Sequence, residues 1–321
     1  MSFIEGIKEK AKQNKKRIVL PESMDERILE AASIAAKENI AEIILIGESK
    51  EIEGVTTISP STNPLTETLI KEFYELRKEK GMTLEEARRI LLSDYMYYAC
   101  MLVKLGYADG VVSGACHSTS DTLRPSLQII KTKPGTKLVS SFFVMVVPNC
   151  EYGDNGTFIF SDCGLEQNPN PEQLAAIAIN SAESFSNLVG KEPIVAMLSH
   201  SSKGSAKHPD VDKVIEALRI VKEDSNDLKV DGELQLDAAI VPEIGSSKAP
   251  DSEVAGKANV LVFPDLDSGN IGYKLVERLA KAEAYGPLTQ GIAAPINDLS
   301  RGCSVNDIVG VIAITAVQAN K

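Results

Sequence analysis

Residues 17–47, RIVLPESMDERILEAASIAAKENIAEIILIG, contain the pattern that decides the fold. Residues 17–22 form a short apolar run, residues 25–39 repeat apolar side chains at helical spacing, and residues 40–47 form a second apolar run. A short continuous apolar run is typical of a strand that is buried on both faces of a parallel sheet. The stretch therefore predicts a strand–helix–strand unit.

The same alternation continues along the chain, which has 321 residues and is long for one hydrophobic core. A helix is expected over residues 170–190, opened by Asn170-Pro171 and ended by Gly190. We predict an α/β fold with two doubly wound domains and a cleft between them. The expected domains are residues 1–137 plus 297–321 and residues 138–296.

The composition excludes several classes of partner. The formal net charge is −11, so neither nucleic acid nor an anionic membrane surface is an expected partner, and an anionic substrate needs a local basic pocket. The apolar runs are too short to span a bilayer. The five cysteines form no CxxC pair and indicate free thiols in a reducing cytoplasm. With three histidines and no metal-type cluster in the sequence, no metal is expected.

Residues 113–125, SGACHSTSDTLRP, predict a strand end, a loop of small polar residues and the start of a helix. Arg124 is expected in the first turn, and helix N-termini of this kind bind phosphate. The alternative is that Ser120 or Asp121 is a helix cap and Arg124 a surface charge. The hydroxyl groups that would contact a phosphate belong to Ser118, Thr119, Ser120 and Thr122.

Residues 297–318, NDLSRGCSVNDIVGVIAITAVQ, place polar groups before a buried helix. Ser304 and Asp307 fit a capping box with Asp in place of Glu, which is a structural role. Ser300 and Arg301 are harder to explain as caps, and an arginine there would hold a planar anion. The stretch therefore fits both a helix cap and an active site.

A third polar stretch, residues 231–239, is expected to continue a strand. On a strand, Asp231, Glu233, Gln235 and Asp237 share one face. That face either lines a cleft or is the solvated face of an edge strand.

Several motifs together resemble the phosphate acetyltransferase family. They are SGACHSTSDTLRPSLQIIKT, VPNCEYGDNGTFIFSDCG, DGELQLDAAIVP, SKAPDSEVAGKANVLVFPDLDSGNIGYKL, AEAYGPLTQGIAAPINDLSRGC and DIVGVIAITAVQA. The resemblance implies a transferase of acetate metabolism that interconverts acetyl-CoA plus phosphate with acetyl phosphate plus CoA. It also implies a fold like that of isocitrate and isopropylmalate dehydrogenases, a site in the interdomain cleft, a homodimer, and no cofactor, since CoA is a substrate.

The resemblance also implies residue roles for direct thiolate attack in a ternary complex. Asp307 matches the general base, Ser300 positions the thiol or the leaving phosphate, and Arg301 with Arg124 holds the phosphoryl group and polarises the carbonyl. The resemblance also places four further residues among the substrate-binding set. Arg77 and Arg27 match arginines linked to substrate binding, Cys150 matches a thiol near the site that is not essential for turnover, and Glu233 matches an acid tied to structure or arginine pairing.

Four alternatives remain open. Phosphate butyryltransferase is a related acyltransferase with a larger acyl pocket, and a non-catalytic sensor of acyl-CoA or acetyl phosphate would share the motifs. A hydroxyacid dehydrogenase would share the fold, but the chain has no convincing nicotinamide motif. A covalent route through Cys303 or Cys150 is the mechanistic alternative.

Overall fold

The structure is a computed structural model that describes residues 2–48, 51–136 and 138–320. The chain forms two compact units, one of Met1–Pro134 with Ile292–Lys321 and the other of Gly135–Gly291. The domain boundary predicted at residue 137 falls outside the described residues. The first unit is thus built from both ends of the chain.

The strands and helices are named in chain order. The strands are β1 (Arg17–Leu20), β2 (Glu42–Ile46), β3 (Val55–Ile58), β4 (Gly110–Ser113), β5 (Ser140–Val146), β6 (Thr157–Ser161), β7 (Ile194–Leu198), β8 (Lys229–Leu234), β9 (Val260–Val262), β10 (Glu283–Gln290) and β11 (Ile296–Asp298). The helices are α1 (Phe3–Gln13), α2 (Glu26–Lys37), α3 (Thr66–Arg77), α4 (Leu84–Ser93), α5 (Tyr95–Lys104), α6 (Thr119–Ile129), α7 (Pro171–Val189), α8 (Pro209–Asp224), α9 (Leu236–Ile240), α10 (Pro242–Lys248), α11 (Leu266–Leu279) and α12 (Val305–Gln318).

The first unit contains a sheet of order β11-β4-β1-β2-β3, in which each pair of neighbouring strands is parallel. The predicted strand–helix–strand unit is β1, α2 and β2. Asp25 caps α2 by accepting a hydrogen bond from the backbone N–H of Arg27. The buried face of α2 presents Ile28 and three alanines, which allow close packing on the sheet.

Helix α12 belongs to the core of the same unit. Every residue from Ile308 to Val317 is buried, and the helix packs against α1, α2 and β4. A helix that is apolar on all sides must be covered on all sides. The polar groups that precede α12 are therefore held in place by a rigid element.

The second unit contains a mixed sheet of order β10-β5-β6-β9-β7-β8. The β10–β5 and β5–β6 pairs are antiparallel, and the three remaining neighbouring pairs are parallel. The predicted helix over 170–190 is confirmed, with Asn170 as its N-cap and Gly190 in the left-handed conformation as its C-cap. The α/β fold class is confirmed.

One predicted strand was too long. The strand expected to continue over residues 231–239 ends at Leu234, and Leu236–Ile240 forms the short helix α9. Asp231 and Glu233 therefore share a strand face, whereas Asp237 lies on a helix. No helix in the described ranges is long and apolar enough to cross a membrane.

Candidate active site

Ten of the twelve predicted site residues belong to the first unit, and several lie at one edge of its sheet. In the order β11-β4-β1-β2-β3 the chain winds outward from β1 in both directions, so the winding direction changes between β1 and β4. Open α/β sheets bind ligands at the carboxyl ends of strands beside such a point. The loops that follow β1, β4 and β11 all start at this edge.

Glu22, just after β1, organises the loop that follows β4. Its carboxylate is fully buried and accepts hydrogen bonds from the backbone N–H groups of Gly114, Ala115, Cys116 and His117 at 2.9–3.1 Å. It also lies 2.6 Å from His117 Nδ1. A buried charge is stable only when it is hydrogen-bonded in this way. Glu22 therefore fixes the backbone of residues 114–117.

Asp298, the last residue of β11, lies on the other side of that loop. The residue is 3% exposed, and Oδ2 accepts a 2.6 Å hydrogen bond from Thr119 Oγ1. Oδ1 is buried and has no hydrogen-bond partner among the described residues. Burial raises the pKa of the Asp298 carboxyl to about 6, although the Thr119 hydroxyl acts in the opposite direction.

Close packing at this point requires glycine at position 114. Its φ is +114°, and a Cβ atom there would lie 2.3 Å from Asp298 Oδ1 and 2.5 Å from Leu299 N. The ends of β4 and β11 therefore approach each other too closely for any side chain. Loops 114–118 and 299–304 leave the sheet side by side.

The start of α6 has a capping box that differs from the predicted cap. Ser118 is the N-cap, its Oγ accepts from Asp121 N, and Asp121 Oδ2 accepts from Ser118 N. Ser120 and Arg124 are exposed, and Thr122 is fully buried. Arg124 is the sixth residue of the helix, so its expected place in the first turn was wrong and it lies in the second.

The start of α12 has the predicted capping box. Asp307 Oδ2 accepts hydrogen bonds from Ser304 N and Ser304 Oγ, both at 2.8 Å. Within the part of the chain that the structure describes, Oδ1 of Asp307 receives no hydrogen bond. Ser300 and Arg301 are exposed on the loop just before this helix. The cap role of Asp307 thus occupies one carboxylate oxygen only.

Arg27 joins the two loops. Its Nη1 donates 2.9 Å hydrogen bonds to the carbonyl oxygens of Arg301 and Cys303, and its Nη2 donates to Ala115 O at 2.9 Å. Asp25 accepts from Nε and Nη2 of the same guanidinium. Arg27 was predicted to bind substrate, but these contacts make it a brace between loop 114–118 and loop 299–304. Its role toward the substrate stays a prediction.

Two more predicted arginines have a common neighbour in Tyr97. Burial raises the pKa of the Tyr97 hydroxyl, whereas the positive charges of Arg124 and Arg77 act in the opposite direction. Arg77, the last residue of α3, is partly exposed, and its Nε is buried without a hydrogen-bond partner among the described residues. The structure therefore brings Arg77 and Arg124 to one tyrosine, where their charges add.

The two other predicted residues lie in the second unit. Glu233 is 3% exposed and accepts hydrogen bonds from Ser201 Oγ at 2.9 Å and Gly204 N at 2.7 Å, so it anchors the loop after β7. Cys150 follows β5 and is partly buried. Their predicted roles at the substrate stay predictions.

Two cysteines of the first unit have thiols of low acidity. Burial raises the pKa of the Cys303 thiol to about 11, although the nearby Arg27 charge lowers it. Partial desolvation of the exposed Cys116 side chain, with the negative charge of Glu22, raises the pKa of its thiol to about 12. Only a thiolate is a good nucleophile. Neither side chain is therefore prepared for covalent catalysis.

Comparison with known proteins identifies the family of this chain. The profile of the phosphate acetyl/butaryl transferase family matches residues 2–316. The chain belongs to this family. A phosphate acetyltransferase from Acetivibrio thermocellus is 60% identical over 328 aligned residues, which cover 99% of this chain and 98% of that protein.

Solved structures agree with the family and with the fold. A phosphotransacetylase from Streptococcus pyogenes superposes with a TM-score of 0.92 at 46% identity, covering 99% of both chains. A 4-hydroxythreonine-4-phosphate dehydrogenase from Klebsiella pneumoniae superposes with a TM-score of 0.54 at 12% identity over 95% of this chain and 100% of that chain, a likeness of fold alone. These comparisons confirm three predictions. The fold is dehydrogenase-like, the protein is an acyltransferase, and its function is that of a phosphate acetyltransferase.

The sequence analysis missed Glu22 and Asp298. Glu22 ends the first predicted strand, so an acid at the end of a predicted parallel strand was the available signal for it, whereas Asp298 ends β11, which was not predicted. The partners of Glu22 are 92–95 residues away along the chain. Their pairing was therefore invisible in local patterns.

Proposed function

We propose that this enzyme transfers the acetyl group directly between CoA and phosphate, with the chemistry carried by the loops after β4 and β11. The observation that carries the proposal is the brace of Arg27 and the Thr119–Asp298 hydrogen bond, which together hold these two loops side by side. Direct transfer needs an anion clamp, a base and stabilisation of a developing oxyanion. Each of these functions has a candidate on the braced loops and the helices that they open.

Arg301 and Arg124 are the anion clamp of this proposal. Both side chains are exposed, and each lies near a loop at the carboxyl edge of the sheet. Guanidinium groups match the planar oxygens of a phosphoryl group, and the chain has a net charge of −11, so local positive charge is needed to attract acetyl phosphate. Arg77 lies near Tyr97, as Arg124 does, so its positive charge adds to this field.

Asp307 is the base. In the direction of acetyl-CoA synthesis, Oδ1 accepts the proton of the CoA thiol, and the thiolate attacks the carbonyl carbon of acetyl phosphate. The tetrahedral intermediate collapses, the C–O bond to the phosphoryl group breaks, and the proton passes from Asp307 to the released phosphate. Ser300 positions the sulfur or the leaving phosphate, since its hydroxyl is exposed just before α12. The high pKa of the Cys303 thiol supports this route over an acetyl-cysteine intermediate.

The test uses a capping box at each of two helices. Asp307→Asn should lower kcat by about 10²–10⁴-fold, because a general base contributes that much. Asp121→Asn is the matched control, since Asp121 caps α6 through the same contacts by which Asp307 caps α12. Phosphate-dependent release of thiol from acetyl-CoA is the measurement. Equal small losses in both variants would return Asp307 to a purely structural role.

Acetyl is the proposed acyl group, and no bound cofactor is needed because CoA is a substrate. Comparing kcat/KM for acetyl-CoA and butyryl-CoA tests the acyl group, and a preference for butyryl-CoA would overturn the choice. We also propose a cytoplasmic homodimer acting on CoA, acetyl phosphate and phosphate. The five thiols without a CxxC pair support the reducing compartment. Light scattering of the purified enzyme tests the dimer.

A further inference from the structure

Three side chains with different metal-binding groups meet at the loop that follows β4. A carboxylate oxygen of Glu22, the sulfur of Cys116 and a ring nitrogen of His117 all lie within 4.8 Å of one another. The sequence suggested no metal-type cluster, because Glu22 is 94 residues from Cys116 along the chain. The fold creates this set by placing the end of β1 beside the end of β4.

The distances within the set are close to those between ligands of one ion. Cys116 Sγ lies 3.3 Å from Glu22 Oε1 and 3.7 Å from His117 Nδ1. Tetrahedral zinc with ordinary bond lengths separates such ligands by about 3.3–3.7 Å. The remaining pair, Glu22 Oε1 and His117 Nδ1, is 2.6 Å apart and must open by about 0.7 Å to reach the separation that tetrahedral zinc requires. The His117 side chain is 44% exposed, so it has room to move.

The rigidity of Glu22 and the solvent exposure of the other two side chains also favour ion binding. The Glu22 carboxylate is fully buried and held by four backbone N–H groups, so one ligand is fixed in advance. Cys116 and His117 are exposed, so an ion can reach them from solvent and a water molecule can complete the coordination. His117 also borders a cavity of about 350 Å³ that is lined by Pro21, Met24 and Ser113 among others.

We propose that Glu22, Cys116 and His117 form a binding site for Zn²⁺ or a chemically similar divalent ion. The mixture of thiolate, imidazole and one carboxylate selects borderline-soft ions, whereas Mg²⁺ and Ca²⁺ require mainly oxygen ligands. Coordination replaces the hydrogen bond between His117 Nδ1 and Glu22 Oε1, and the Cys116 thiol releases its proton to solvent. An ion bound there links the side chains of Cys116 and His117 to Glu22, which already binds the backbone of residues 114–117. The loop is then fixed next to Ser118, the N-cap of α6.

The experiment titrates the reduced full-length enzyme with Zn²⁺ by calorimetry, without CoA, whose own thiol binds zinc. One saturable equivalent is expected. Cys116→Ala and His117→Asn should each weaken binding at least about tenfold, because even outer partners of metal ligands contribute that much. Co²⁺ should give a sulfur-to-cobalt charge-transfer absorption that disappears in Cys116→Ala, which supplies a spectroscopic readout separate from affinity.

Matched controls come from the second unit. His208 is an exposed histidine beside Asp210, and His208→Asn should bind Zn²⁺ as the wild type does. Cys150→Ala should keep the cobalt absorption. The proposal is overturned if wild-type enzyme shows no saturable binding, or if binding depends on His208 and survives the loss of Cys116 or His117. Because no substrate is present, these outcomes leave the proposed acetyl transfer untouched.

Discussion

Glu22 and Asp298 are two buried carboxylates on opposite sides of the same loop, and their surroundings differ sharply. Four backbone N–H groups point at Glu22, whereas Asp298 accepts a hydroxyl hydrogen bond from Thr119 and keeps one buried oxygen unpaired among the described residues. Glu22 therefore fixes its loop by accepting from four backbone donors. For Asp298, burial favours the protonated form and raises the pKa of the carboxyl to about 6. Similar burial thus has different consequences for the two carboxyl groups, because their hydrogen-bond partners differ.

The largest effect is expected for Glu22→Gln. The substituted amide group presents N–H donors to at least two of the four loop N–H groups, and no other acceptor replaces the lost oxygen. The free energy of unfolding should fall by about 3–5 kcal/mol at pH 7.5. Urea denaturation measures it. A loss below about 1 kcal/mol would mean that water replaces Glu22 as the acceptor and that the comparison fails.

Asp298→Asn should change the free energy of unfolding in the opposite direction, so that the variant is more stable than the wild type. An unfolded aspartate titrates near pH ~4, so the folded protein binds one proton more than the unfolded chain between pH ~4 and ~6. Wild-type stability therefore falls as the pH rises through this window. An asparagine side chain does not titrate, so the variant should gain up to about 3 kcal/mol relative to wild type between pH ~4 and ~6.5.

Denaturation midpoints at several pH values between the two limits test this difference. Asp251→Asn, which changes an exposed aspartate, is the control and should follow the wild-type pH dependence. If Asp298→Asn and Asp251→Asn behave alike, burial does not raise the pKa of Asp298 and the contrast between the two carboxyl groups fails.

Thr119→Val should have the smallest effect. It removes the hydroxyl hydrogen bond that Oδ2 of Asp298 accepts, at a cost of about 1–2 kcal/mol at pH 7.5. Because this hydrogen bond favours the charged carboxyl, its loss raises the pKa of Asp298, and the pH window of declining stability should extend upward. Thr119→Ser is the control that keeps the hydroxyl. An unchanged pH window in Thr119→Val would show that the Thr119 hydroxyl does not lower the pKa of Asp298.

Local features of the fold were predictable from the sequence. The cap and stop of α7 at Asn170 and Gly190 and the capping box of Ser304 and Asp307 depend on residues within a few positions of each other. Their hydrogen bonds form wherever such a sequence begins or ends a helix. These elements were accordingly identified without knowledge of the partners in space.

Features that depend on distant partners were not predictable. β11 has only three residues, too few for a periodic pattern, and exists because β4 lies beside it. Residues 236–240 continue the alternation of β8 but form a helix that packs on β7. The contacts of Glu22 and Asp298 join positions 92–179 residues apart, so only the fold reveals them.

The division of the first unit between the two ends of the chain has a consequence for biosynthesis. β11 and the buried α12 are translated after residues 135–291, yet β4, α1 and α2 need them as packing partners. The nascent chain must therefore keep the apolar surface that α12 will cover exposed while residues 135–291 are translated. A ribosome that stalls before residue 292 therefore leaves an open hydrophobic surface for chaperones to bind.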